Sequence, residues 1–101
     1  MIPLAQQAQI EFGDFQTPLV LAQHVCEKLL ELGVTAHTII EPTCGLGAFV
    51  EAATTQFPTA QKIIGVEINS VYLAALNQRK QNFLQPERVE LYQRDFFFTR
   101  A

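Results

Sequence analysis

Thr38-Ile39-Ile40-Glu41-Pro42-Thr43-Cys44-Gly45-Leu46-Gly47-Ala48-Phe49-Val50 decides how the rest of the chain is read. An apolar pair, Ile39-Ile40, runs into an acid, Glu41. A turn with two glycines follows, and Ala48-Phe49-Val50-Glu51-Ala52-Ala53 then has the composition of a helix. Strand, glycine turn and helix in that order bring a backbone close to a nucleoside or phosphate ligand. Glycine accepts positive φ there, and its missing Cβ leaves room for a ligand. A tight turn between strand and helix, with nothing bound, has the same signature.

The same alternation extends on both sides. Upstream, Phe12-Gly13-Asp14-Phe15-Gln16-Thr17-Pro18 reads as a loop entering a helix, with Thr17 as N-cap and Pro18 at the first helical position. Leu21, Ala22, Val25, Cys26, Leu29 and Leu32 recur at helical spacing over about 18–32, and Gly33 supplies the stop. The first strand is expected over 37–41 and the helix after the glycine turn over 47–57. Downstream, Lys62-Ile63-Ile64-Gly65-Val66-Glu67 is a β-branched strand that again closes on an acid. Asn69 or Ser70 caps a third helix over 70–83, whose apolar side is Val71, Tyr72, Ala75, Leu76 and Phe83. The alternating run 88–92 predicts a third strand, less deeply buried than the first two. Strands alternating with helices imply parallel pairing and right-handed crossovers. The expected architecture is therefore α/β, a partial Rossmann-like fold of three parallel strands in the order 3-2-1 with flanking helices. Residues 1–11 are expected to form an N-terminal arm and residues 12–101 the domain.

Composition bounds the function. The 101 residues, 49% hydrophobic and 17% charged, suit one small packed domain. No apolar run approaches the roughly 20 residues of a membrane span, and the N-terminus lacks the basic and apolar regions of a secretory signal. Cys26 and Cys44 lack metal spacing and read as reduced thiols of a cytoplasmic protein. The net charge of −3, with scattered Lys and Arg, does not make the basic face of an autonomous nucleic-acid binder. His24 and His37 are isolated, so no metal or catalytic role is assigned to them.

In a doubly wound sheet, ligands bind beyond the carboxyl ends of the strands. Glu41, Glu67 and Asp95 all fall at such ends. Glu67 lies twenty residues after Gly47, where an acid can accept both hydroxyl protons of a ribose; otherwise it is a solvated strand-end carboxylate. Asp95 suits an exocyclic amine or a turn. Phe96 suits the face of a purine or the core, where Phe97 and Phe98 are expected. Ile68 offers an opposite apolar wall. Glu41 either holds an ammonium group or braces the glycine turn. Thr17 is either only a cap or also meets a carboxylate at a helix N-terminus. Cys44, with no adjacent base in sequence, reads as a small packing residue. Together these positions describe a nucleoside with a charged amino-acid tail. In the rival pattern for nicotinamide dinucleotides the third position of the glycine motif is Gly or Ala; here it is Val50.

With these segments in register, the chain resembles the N-terminal part of an adenine-N6 DNA methyltransferase. The order, with Phe12–Pro18 ahead of Glu41–Val50, Gly65–Asn69 and Arg94–Phe97, is similar to the gamma class of restriction–modification enzymes. The resemblance covers about residues 12–98 and implies S-adenosylmethionine as cofactor. It implies that Thr17 meets the methionine carboxylate, that Glu41, Gly45 and Gly47 frame the methionine, and that Glu67 holds the ribose. Ile68 would then flank the adenine, Asp95 bond its amino group and Phe96 close the slot. The family's catalytic motif, Asn/Asp-Pro-Pro-Tyr/Phe, which stacks on a flipped base, occurs nowhere in these residues. No catalytic residue is therefore assigned, and the chain alone is expected not to methylate. DNA would be engaged only through the remainder of the enzyme. The first strand would be an exposed apolar edge, so a homo-dimer through that edge is expected. A non-catalytic interaction module, or part of an RNA or protein methyltransferase, are the alternatives.

Overall fold

The computed structural model describes residues 16–42 and 44–95. Among the described residues three α-helices and three strands alternate: α1 (Leu19–Glu31), β1 (Thr38–Glu41), α2 (Ala48–Gln56), β2 (Lys62–Glu67), α3 (Ser70–Arg79) and β3 (Val89–Gln93). The strands form one parallel sheet with β2 in the middle, which is the expected 3-2-1 order. Thr38 pairs with Lys62 and Glu41 with Gly65, while Ile63 pairs with Val89 and Glu67 with Gln93. The acidic ends of β1 and β2 therefore lie along the same edge of the sheet.

The core gathers Ala22 and Cys26 of α1, Val50, Ala52 and Ala53 of α2, Ile63 of β2, Leu76 of α3 and Val89 of β3. Small residues predominate where α1 meets α2, which lets the two helices approach closely. Among the described residues, no helix is long and apolar enough to cross a membrane.

Local chemistry explains most boundaries. After α1, Gly33 takes φ +83°. Its N–H donates to Leu30 O (2.9 Å) and the Val34 N–H to Leu29 O (3.0 Å), the paired bonds of a Schellman stop. Asn69 caps α3, its Oδ1 accepting from the N–H groups of Val71 (2.9 Å) and Tyr72 (3.1 Å).

Four expectations change. Pro18, extended at ψ 141°, is the N-cap of α1, so Thr17 precedes the cap and no side chain caps this helix. α3 stops at Arg79 and tightens into a 3-10 turn over Lys80–Asn82. Leu76 is buried as expected, but the residue buried with it is Leu73, and Val71 is 72% exposed. Finally β3 is less buried than β2, as expected, but β1 is shallower still. It has no buried residue and leaves Ile40 55% exposed. The arm over residues 1–11 and the residues Phe96 to Phe98 lie outside the described residues.

Candidate functional site

The glycine turn is anchored from β2 outward. The Cys44 N–H donates to Val66 O (2.9 Å), the Gly47 N–H closes the turn onto Cys44 O (2.8 Å), and the Glu51 N–H donates to Gly47 O (2.8 Å) to start α2. Glu67 ends β2 with its carboxylate turned back into the protein. Oε1 accepts from the Gly45 N–H (2.8 Å) and Oε2 from the Asn69 N–H (2.7 Å). Buried at 8% exposure, it is a brace between the glycine turn and the cap of α3 and not a solvated strand-end group. An ionised carboxylate has about four acceptor positions, so each oxygen keeps one for a further donor.

Both glycines adopt positive φ, +54° at Gly45 and +89° at Gly47. The room left by their missing Cβ atoms is filled by protein. A Cβ on Gly45 would lie 2.4 Å from Gln16 Oε1, and one on Gly47 2.3 Å from Leu76 Cδ1. Gly65 serves the same purpose inside the sheet, where a Cβ would press on Leu91 (2.9 Å) and on the Cys44 thiol (3.1 Å).

Two residues without an expected site role complete the anchoring. Gln16 Oε1 accepts from the Leu46 N–H at 2.9 Å. Arg79, from the last turn of α3, donates to Leu46 O and to the Glu51 carboxylate. Leu46 is thereby held on its N–H side by one element and on its carbonyl side by another. These contacts span 30 and 33 residues, and no local pattern signals them.

The remaining predicted residues fall into place as follows. Glu41, half-buried at the end of β1, lies near enough to Cys44 for its charge to act on the thiol, as does Glu67. Burial first, then these two carboxylates, push the Cys44 thiol up to about 12, so it stays protonated. A protonated, buried thiol is no nucleophile, and Cys44 packs against the sheet as expected. Ile68 follows Glu67 with its side chain 61% exposed. Asp95 lies two residues beyond β3, half-buried, and the Arg94 N–H donates to Glu67 O (3.2 Å), which ties this exit to the end of β2. Thr17 is half-buried beside Gln16. Phe96 lies outside the described residues. The structure thus brings Glu41, Gly45, Gly47, Glu67 and Ile68 to the adjoining ends of β1 and β2, with Asp95 at the next strand exit.

No protein-family model matches the chain. Over 97 residues, 96% of the chain, it is 53% identical to the type II methyltransferase M.NspV of Nostoc sp.. The chain spans about one fifth (20%) of the length of that relative. Its fold is similar to that of the M. jannaschii tRNA m1G37 methyltransferase, with a TM-score of 0.63 over 85% of this chain and 25% of the other, at 17% identity. By sequence the chain is similar to a segment of a type II methyltransferase, and its three-stranded parallel sheet with flanking helices is similar in fold to part of a Rossmann-like methyltransferase.

Proposed function

We propose that the chain is the S-adenosylmethionine-binding part of an adenine-N6 DNA methyltransferase of the restriction–modification type, acting in the cytoplasm. The observation that carries this reading is the meeting of Glu41, the glycine turn and Glu67 at the carboxyl ends of neighbouring parallel strands. In the proposal Glu67 receives the ribose hydroxyls on the acceptor positions that Gly45 and Asn69 leave, and exposed Ile68 covers one adenine face. Asp95 takes the adenine amino group, and Phe96 closes the slot. Glu41, Gly45 and Gly47 surround the methionine, whose carboxylate meets Thr17. Bound there, the cofactor supplies an electrophilic methyl group. The chain's own residues orient it, and the group that presents the target amine belongs to residues outside these 101. An amine on RNA or protein in place of DNA is the alternative substrate.

Titration calorimetry with S-adenosylmethionine or its demethylated product tests the reading. Glu67→Ala is expected to weaken binding more than about tenfold, the size of a lost hydrogen bond to a charged group, while Gln78→Ala on exposed α3 leaves it unchanged. Failure of the unaltered chain to bind at millimolar ligand would favour the second reading, a non-catalytic interaction module. That reading draws on the uncovered edge of β1 and on an apolar cavity of about 380 Å³ between α1, β1 and α2. Under either reading we propose that two copies associate through this edge.

A further inference from the structure

Among the described residues ahead of α1, Gln16 reaches the glycine turn. Its Oε1 accepts from the Leu46 N–H at 2.9 Å, and its carboxamide lies against the place of a Gly45 Cβ, 2.4 Å from that position. Leu46 is half-buried and precedes α2, so its N–H has no partner from within the helix ladder. Thr17 and Pro18 follow Gln16 directly, and the Pro18 carbonyl already accepts from the Ala22 N–H (3.1 Å) in the first turn of α1. Thr17 is therefore held between two fixed points, the Gln16–Leu46 bond on one side and the start of α1 on the other. No side chain of its own helix does this, because α1 lacks a side-chain cap.

We infer that Gln16 is a positioning residue for the ligand site: it sets Thr17 against the glycine turn and fixes the Leu46 peptide, without touching the ligand itself. The inference rests on the reading above, in which Thr17 meets the carboxylate of S-adenosylmethionine. A neutral acceptor suits this place. It satisfies Leu46 without adding a third acid to Glu41 and Glu67 beside an anionic group of the ligand.

Three substitutions in the 101-residue chain, alone and combined, test this, titrated with S-adenosylmethionine while the exchange of the Leu46 amide is followed by NMR without ligand. Gln16→Met keeps the length and removes the acceptor. It is expected to speed Leu46 exchange and to weaken binding roughly tenfold. Thr17→Val is expected to weaken binding in the unaltered chain and to add nothing further in the Gln16→Met background. Gln16→Glu retains an acceptor, so it keeps Leu46 slow to exchange and keeps the effect of Thr17→Val; it also decides the matter if Gln16→Met does not fold. Faster Leu46 exchange with unchanged affinity, or independent effects at positions 16 and 17, would overturn this inference alone. No binding by the unaltered chain would overturn the reading of the site, and this inference with it.

Discussion

Gly47 and Gly33 have nearly the same backbone, φ +89° and +83°, but different surroundings. Around Gly33 an added Cβ meets nothing within 4 Å, whereas at Gly47 it would enter the Leu76 side chain, which is fully buried. The left-handed conformation alone costs an ordinary residue about 1–2 kcal/mol. Gly33→Ala is expected to cost that much and no more. Gly47→Ala adds overpacking, typically 1–3 kcal/mol, and is expected to lower Tm by roughly 10 °C more than Gly33→Ala in parallel thermal melts. Cys44 gives a prediction of another kind. Its native thiol is pushed up to about 12 from an ordinary 9.0. Below about pH 9 both folded and unfolded chains keep the proton, and this group contributes no pH dependence. Above it the unfolded thiol ionises while the native one does not. The stability it supports is therefore lost progressively as pH rises from 9 towards 12. Urea unfolding at pH 8 and pH 10 should show a lower midpoint at the higher pH, and Cys44→Ala should remove part of that difference.

The elements are joined by one buried cation. Arg88, just ahead of β3 and 8% exposed, donates only to carbonyls: Nη1 to Phe57 O and Ala60 O (both 3.1 Å), Nη2 to Thr54 O (2.7 Å) and Leu84 O (2.9 Å), and Nε to Gln85 O (3.4 Å). These oxygens belong to the C-terminal end of α2 and the turns beside it, where the helix dipole favours a positive charge. The guanidinium thus staples α2 to the start of β3. Its planar fork reaches several acceptors that an ammonium group cannot hold together. Arg88→Met would leave several buried carbonyls unpaired and is expected to cost at least about 3 kcal/mol, seen as a lower urea midpoint with unchanged m. Arg88→Lys should recover little of it. Residues of this kind mark where sequence reasoning stops. Lys62–Glu67 was legible to both ends because a β-branched run closes on an acid and a capping Asn69 follows. Gly33 was legible because its stop chemistry is local. Thr17-Pro18 misled by one position because Thr-Pro fits a cap as well as the residue before one. Gln16, Arg79 and Arg88 carried no local signal, since the contacts that join them to other elements reach 28 to 34 residues away. The site was legible as a set of strand-end acids around a glycine turn. That Glu67 spends two of its acceptor positions on the turn and the next cap, and that protein fills the glycine spaces, could be seen only once the strands were paired.

At the scale of the molecule the sheet is asymmetric. β2 is paired on both sides, while β1 and β3 each have one hydrogen-bonding edge without a strand partner among the described residues; β3 carries Glu90 within it, and the β1 edge is the apolar one. That edge carries no charge between Thr38 and Glu41, and its middle residue, Ile40, is largely exposed. Beside it lies the cavity walled by Val25, Leu29, Val34, Ile39, Phe49 and Phe57. A β-rich apolar edge next to an apolar hollow is a surface that draws another strand, because backbone pairing and burial there act together. The proposed association of two copies should accordingly depend on protein concentration and centre on β1. Ile40→Lys places a charge on the edge strand at a largely exposed position. It is expected to change stability by less than about 0.5 kcal/mol and to shift the chain to monomer in light scattering at micromolar concentration. A change at an equally exposed site away from the edge, such as Val71→Lys on α3, should leave association intact. A monodisperse monomer of the unaltered chain would show that the edge alone does not drive pairing. If both variants dissociated the dimer equally, the contact would be a diffuse apolar one and not strand addition at β1.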